Sequence, residues 1–103
     1  MAIEQKFELV NFVGSAPGSR AKKDVFKGKH FNVVVICLDS GQEILPHDEP
    51  YDVFFYVISG RGIFTTGEKQ WEAGPGSMIF APAGPRGIKC VERLTILGIQ
   101  EPH

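Results

Sequence analysis

Short runs of β-branched and aromatic residues, separated by glycine and proline, are the feature that most restricts the fold of this chain. Such runs are typical of strands that follow one another closely in antiparallel sheets. Eight of them predict strands, at residues 7–12, 31–38, 53–58, 62–66, 69–72, 77–82, 87–90 and 94–100. The segment 20–30 is the one candidate helix, but its apolar residues are sparse and Gly28 interrupts it, so we predict a loop or a single short turn there. The sequence therefore predicts an all-β fold, an antiparallel barrel or sandwich.

The length and charge of the chain limit its size and its partners. A chain of 103 residues without a linker, repeat or low-complexity tract predicts one domain over residues 1–103. Eleven Lys and Arg residues against twelve Asp and Glu residues give a net charge of −1, which offers no general attraction to nucleic acid or to an anionic membrane. The longest apolar run, residues 33–38, is far shorter than the roughly 20 residues of a membrane-spanning helix.

The cellular compartment is predicted from the N-terminal segment and the cysteines. Charged residues at positions 4, 6 and 8 interrupt what would be the apolar part of a signal peptide. Cys37 and Cys90 lack a CxxC spacing, which predicts free thiols in a reducing compartment. We therefore expect a cytoplasmic protein.

Charged residues are segregated along the chain. The segment 11–30 holds Gly14, Ser15, Pro17, Gly18 and Ser19 and then the basic residues Arg20, Lys22, Lys23, Lys27, Lys29 and His30. It is either a solvated basic loop, the interpretation we favour, or a small anion-binding lip for a phosphate or carboxylate. No Lys or Arg lies between Lys29 and Arg61, where five acidic residues fall instead, and such an acidic surround favours a cation or metal near His47.

Residues 41–60 and 74–84 resemble the two sequence motifs of the cupin superfamily. Gly41, His47, Gly60, Gly76 and the Pro82-x-Gly84 pair keep the spacing of those motifs. The resemblance implies a small double-stranded jelly roll, cupin-like, with a site inside the barrel.

At the positions of the family's metal ligands, this chain departs from the motif. His47 is retained, whereas the second histidine falls on Glu49, the glutamate on Val53 and the last histidine on Gly87. Because side chains two apart on a strand share a face, His47 and Glu49 are predicted to point the same way. Two donors are fewer than the three protein ligands of a catalytic zinc site or of a non-haem iron triad.

A metal remains one alternative. A zinc, iron, manganese, nickel or copper ion would need His47, Glu49 and a third donor. Asp52 would supply it if a β-bulge turned it inward, and Cys37 or Cys90 if its strand faces the cavity. The other alternative is no cofactor.

Further candidate residues lie around this pair. If the resemblance holds, Val53, Phe55 and Val57 face the interior, and Val53 and Phe55 line the binding cavity. Phe54, Tyr56 and Ile58 then cover the opposite face, where they suit a homodimer partner. Arg86, placed at the rim beside the tight turn at 82–85, is a candidate for binding an anionic group. Tyr51 and Trp71 are interpreted as core or dimer contacts.

Three classes of function follow. The first is a binding module that holds a sugar or small organic acid in the cavity, with a largely lost metal site. The second is an enzyme, either a metal-dependent dioxygenase type or a metal-free isomerase or epimerase in which His47 is the general base and Glu49 orients it or supplies the complementary acid. The third is a structural or oligomerisation module.

Overall fold

The computed structural model describes residues 3–14 and 20–103, and these form a fold built almost entirely of strands. The seven strands are β1 (Ala21–Lys27), β2 (Asn32–Leu38), β3 (Glu43–Glu49), β4 (Val53–Thr66), β5 (Lys69–Ala73), β6 (Met78–Ala81) and β7 (Gly84–Gln100). A single 3₁₀ turn covers Leu9–Phe12. Within the described ranges no helix has the length and apolar character to cross a membrane. The predicted all-β class is confirmed.

All strand pairs are antiparallel. The hydrogen-bonded order is β1-β2-β7-β4-β5, with β3 paired to β7 and β6 paired to β4. The outer strands of this path, β1 and β5, do not pair with each other, so the sheet curls into a jelly roll without closing. The predicted double-stranded jelly roll is thus confirmed, as a sheet that stays open at one seam.

Two long strands replace four of the predicted short ones. β4 spans both 53–58 and 62–66, and β7 spans both 87–90 and 94–100. The residues between the predicted strands 53–58 and 62–66 form a bend within β4, where the register with β7 shifts around Ser59 and Arg61. Gly60 has a φ of 86°, and a Cβ there would overlap the carbonyl of Arg93, so the bend requires glycine.

Two predictions for the N-terminal part are wrong. Residues 7–12 contain the 3₁₀ turn and no strand, whereas the predicted loop at 20–30 contains β1. β1 is a strand because its backbone pairs with β2 from Ala21 opposite Cys37 to Lys27 opposite Asn32, although its own sequence is mostly polar. The segment 15–19, which includes Ser15, Pro17, Gly18 and Ser19, lies outside the described residues.

The core lies between the two halves of the sheet. It includes inward-facing residues of β2, β4 and β7 such as Leu38, Val57, Phe64 and Ile96. Val53, Phe55 and Val57 are buried while Phe54 and Tyr56 are exposed, which confirms the predicted alternation along β4. This alternation places Phe55 on the inner face.

Neither cysteine forms a disulfide. Cys37 is buried on the outer face of β2, where its Sγ accepts a hydrogen bond from the Gly14 amide at 3.3 Å. Cys90 is part of the core, and its Sγ lies 3.4 Å from the Leu38 carbonyl. Burial raises the pKa of the Cys90 thiol.

Candidate functional site

A cavity of about 410 Å³ opens between β1, β2, β3 and β7. Its lining combines apolar side chains with polar and charged ones. The residues that line it are Arg20, Ala21, Lys22, Ile36, Leu38, Ile44, His47, Glu49, Tyr51, Phe55, Arg86, Gly87, Ile88 and Gln100. Of the sequence-predicted site residues, His47, Glu49, Arg86 and Phe55 come together here, whereas Val53 and Asp52 do not line the cavity.

His47 and Glu49 form the polar centre of the cavity. As predicted, their side chains share one face of β3, with His47 Nε2 2.8 Å from Glu49 Oε1. The other ring nitrogen, Nδ1, lies 2.9 Å from the Leu45 carbonyl oxygen. A carbonyl oxygen only accepts and an ionised carboxylate only accepts, so both contacts are hydrogen bonds when both ring nitrogens carry protons. While the ring contacts Glu49 its Nε2 is occupied, so its predicted role as a general base would first require it to leave Glu49.

Tyr51 and Arg86 hold Glu49 in its charged form. A hydrogen bond from the Tyr51 hydroxyl lowers the pKa of Glu49 most, and His47 and Arg86 lower it further, against an opposing effect of burial. The pKa of Tyr51 is raised, chiefly by its own burial and then by its hydrogen bond to Glu49. Glu49 is therefore an anion at neutral pH that links three neighbouring side chains.

Arg86 lies inside the fold, deeper than the rim position predicted from the sequence. β7 begins at Gly84, so Arg86 is already on a strand opposite His47 of β3, and only 6% of it is exposed. Its Nη1 donates a hydrogen bond to the Tyr51 carbonyl oxygen at 2.6 Å. Its guanidinium carbon is 4.5 Å from the centre of the Tyr51 ring, and its Nη2 is 4.0 Å from Glu49 Oε2. The guanidinium is thereby fixed in the cavity wall by cation–π and polar contacts.

The charge of the cavity differs from the acidic surround predicted around His47. Glu49 is the one acidic residue among the lining side chains, which include Arg20, Lys22 and Arg86. Asp39 instead lies 3.4 Å from Arg93, and Asp52 accepts a hydrogen bond from the Ala83 amide. The lining of the cavity is more basic than this prediction because strand pairing brings β1, from the basic segment, beside β2.

The residues present do not fit a metal centre of the type that the motif resemblance implies. Gly87 provides no donor, and a Cβ there would lie 2.7 Å from the Ile44 carbonyl and 2.8 Å from the Pro46 nitrogen, so β3 fills that place. Val53 is apolar and buried. Asp52, Cys37 and Cys90 do not line the cavity. Over residues 3–14 and 20–103, no three His, Cys, Asp or Glu side chains are grouped to hold a metal ion.

Sequence reasoning missed one residue of the site and did not favour two others. Tyr51 was interpreted as a core or dimer contact, and Lys22 and Arg20 belong to the segment for which a solvated loop was favoured over an anion-binding lip. The alternation that joined His47 to Glu49 reaches Tyr51 two residues later, and it was a usable signal. For Lys22 and Arg20 the signal was the basic segment itself, but only the pairing of β1 with β2 shows which of its charges face the cavity.

Comparison with known proteins was made by sequence and by structure. A sequence model of the Cupin domain family matches residues 34–87, which include β3 and the first residues of β7. A search of curated protein sequences found no match.

Several solved structures share the fold. The TT1209 protein from Thermus thermophilus has a TM-score of 0.84 at 24% identity, over 96% of this chain and 98% of that one. An RmlC-like cupin protein from Desulfovibrio desulfuricans has a TM-score of 0.80 at 22% identity, over 96% and 98%. A conserved protein of unknown function from Streptococcus pyogenes has a TM-score of 0.82 at 22% identity, over 100% and 91%. At these identities the likeness concerns the fold.

Proposed function

This chain belongs to the cupin domain family, and on that basis we propose that it binds a small organic molecule, a sugar or a small organic acid, in its cavity. The observation that carries the proposal is a cavity of about 410 Å³ whose lining combines apolar side chains with a connected polar group of His47, Glu49, Tyr51 and Arg86. Binding sites for small molecules are typically of this size and combine apolar walls with a few placed polar groups. The binding relies on protein side chains alone, since the donor set does not fit a metal.

The polar group is suited to ligand recognition because its members are held in place. Glu49 is fixed by Tyr51 and His47, and Arg86 by the Tyr51 carbonyl and ring. Side chains that are already ordered lose little conformational entropy when a ligand binds. Ile44 and Phe55 add apolar contacts nearby.

A screen by NMR tests the proposal. Small acids, sugars and neutral compounds are added to the labelled protein, and we expect some of them to shift amide resonances of the cavity residues. Ile44→Trp fills the cavity and should abolish those shifts. Leu45→Trp is the matched control, because Leu45 is the next residue on β3 and is exposed. If no compound shifts the cavity resonances, the proposal fails and a structural role is favoured.

A second candidate is a metal-free isomerase or epimerase, favoured by the His47–Glu49 contact of 2.8 Å at the cavity. Once it leaves Glu49, a neutral His47 ring can take a proton from a ligand carbon as general base and return a solvent-exchanged proton to that carbon. Each compound found by the screen is then incubated in D₂O with the wild type and with His47→Ala. Exchange of a carbon-bound proton that depends on His47 supports the enzyme, whereas binding without exchange supports the binding module.

We also propose that two copies associate through the outer apolar face, which we define as Phe54, Tyr56, Met78, Phe80 and Ile99. All five side chains are exposed, and none is charged. Phe54 lies opposite both Phe80 on β6 and Ile99 on β7, so the residues form one continuous surface. A patch of this kind on a small domain is typical of an interaction surface.

A further inference from the structure

Among the cavity side chains, Arg86 provides a permanent positive charge with donor capacity to spare. A guanidinium has five N–H donors. The Tyr51 carbonyl takes one donor at Nη1 and the Tyr51 side chain takes another, whereas Nη2 is 4.0 Å from Glu49 Oε2, which is too long for a direct hydrogen bond. Because Arg86 lines the cavity, its remaining donors are available to a ligand oxygen.

Lys22 and Arg20 add positive charge at the edge of the same cavity. On β1, Lys22 lies opposite Ile36, an inward-facing residue of β2, and opposed residues of an antiparallel pair share a face. Lys23 lies opposite Val35 and therefore points to the other side. Arg20, two residues before Lys22, also lines the cavity, where its Nη1 is 3.3 Å from the Glu43 carbonyl.

The net charge of these groups is positive. Arg20, Lys22 and Arg86 face one carboxylate, that of Glu49, whose charge is already shared with His47 and Tyr51. The rest of the wall includes Ile36, Leu38, Ile44, Phe55 and Ile88, which favour an apolar body. Such a site matches a ligand that carries a negative group at one end and hydrocarbon at the other.

From this arrangement we infer that the ligand is a small organic carboxylate, with its carboxylate at Arg86 and its apolar part against β2 and Phe55. The inference rests on the proposed function and names the ligand class for the same cavity. A planar carboxylate is the shape that a guanidinium recognises best, by paired charge-assisted hydrogen bonds. Lys22 and Arg20 attract the anion and draw it to the cavity mouth.

Benzoate and benzamide are the probes that test this. The two compounds share an aromatic ring and differ in charge. Each is titrated into the protein at neutral pH in the presence of EDTA. The quantity measured is the change in the amide chemical shifts of the cavity residues. We expect benzoate to bind at least about tenfold more tightly, the factor that corresponds to one charge-assisted hydrogen bond. Arg86→Gln should remove that preference.

A second test compares Lys22→Glu with Lys23→Glu. It remains valid even if the buried Arg86→Gln variant does not fold. Both reverse one charge on β1, but only Lys22 faces the cavity. We expect Lys22→Glu to weaken benzoate binding about threefold or more while Lys23→Glu leaves it within about twofold, since long-range effects of exposed charges are screened.

Each of the three outcomes below would overturn the inference that the ligand is a carboxylate held at Arg86. If benzamide binds as tightly as benzoate, the ligand need not be an anion, although small-molecule binding in the cavity still stands. If both lysine variants weaken benzoate equally, the attraction is a general surface effect and not one of this cavity. If neither probe shifts cavity resonances, the carboxylate assignment fails, and the broader screen decides whether the cavity binds anything.

Discussion

Glu49 is the residue on which the polar group of the cavity depends. It is in contact with His47, with the Tyr51 hydroxyl and, at longer range, with Arg86. Each of these contacts favours the ionised carboxylate, so the pKa of Glu49 is lower than its ordinary value of 4.5. The charge of Glu49 is in turn what orients His47.

Tyr51→Phe should raise the pKa of Glu49, because the Tyr51 hydroxyl makes the largest contribution to lowering it. The pKa is measured from the side-chain carboxyl carbon shift of Glu49 in an NMR pH titration. Tyr56→Phe is the matched control, since Tyr56 lies on the opposite face of β4 and should leave Glu49 unchanged. An unchanged Glu49 titration in Tyr51→Phe would show that the hydroxyl does not contact the carboxylate in solution.

The lowered pKa also sets the direction of a pH effect on stability. The folded-state pKa of Glu49 lies below its value in the unfolded chain, so its contribution to the free energy of unfolding is fully present above about pH 4.5. The contribution is lost as the pH falls through the folded-state value. In Tyr51→Phe the folded-state pKa lies closer to the unfolded-state value, so the contribution is smaller and is fully lost at a higher pH than in the wild type.

β1 and β3 are elements whose sequences do not look like inward-facing strands. Five of the seven residues of β3 are exposed, and β1 contains two adjacent lysines and an aspartate. Both become strands because their backbones pair with the apolar strands β2 and β7. Their polar residues are then available to line a cavity.

The close approach of β3 to Gly87 of β7 leads to a prediction about how tightly these two strands pack. Gly87→Ala places a Cβ against the Ile44 carbonyl and the Pro46 nitrogen, both backbone atoms that can move only with the whole strand. We expect a loss of about 2 kcal/mol in the free energy of unfolding, measured by urea denaturation, as for other overpacked sites.

Gly74→Ala is the control for that experiment. The nearest atoms to its added Cβ belong to the end of the Arg61 side chain, which can move aside. Its effect should stay within about 0.5 kcal/mol. If Gly87→Ala is no more destabilising than Gly74→Ala, then β3 does not pack as closely on β7 as described, and the position has room for a donor side chain.

The proposed dimer of the whole molecule is tested by measuring its molar mass in solution. Light scattering should give twice the monomer mass of 11.3 kDa. Phe80→Glu places one negative charge in the outer apolar face of each protomer. Because both charges would be buried in a symmetric interface, this variant should be a monomer. Leu45→Glu makes the same kind of change at an exposed apolar residue elsewhere and should remain a dimer. A wild type of monomer mass would overturn the proposal.

The sequence by itself determined the fold class and the centre of the candidate site. Alternating apolar residues place Val53, Phe55 and Val57 in the core, and the same period of two joins His47 to Glu49, because strand geometry depends only on neighbouring residues. The spacing of the motif glycines and of the Pro82-x-Gly84 pair likewise indicates the jelly roll.

The charge of the cavity and the lack of room for a donor side chain at Gly87 could be seen in the folded structure but not predicted from the sequence. Of the acidic residues near His47 in sequence, Glu49 lines the cavity but Asp39 and Asp52 do not, while Lys22 and Arg86, distant in sequence, reach it through pairing with β2 and β3. The loss of room at Gly87 depends on how closely β3 crosses β7. These properties arise from contacts between strands far apart in the chain, and local sequence periodicity carries no information on which strands become neighbours.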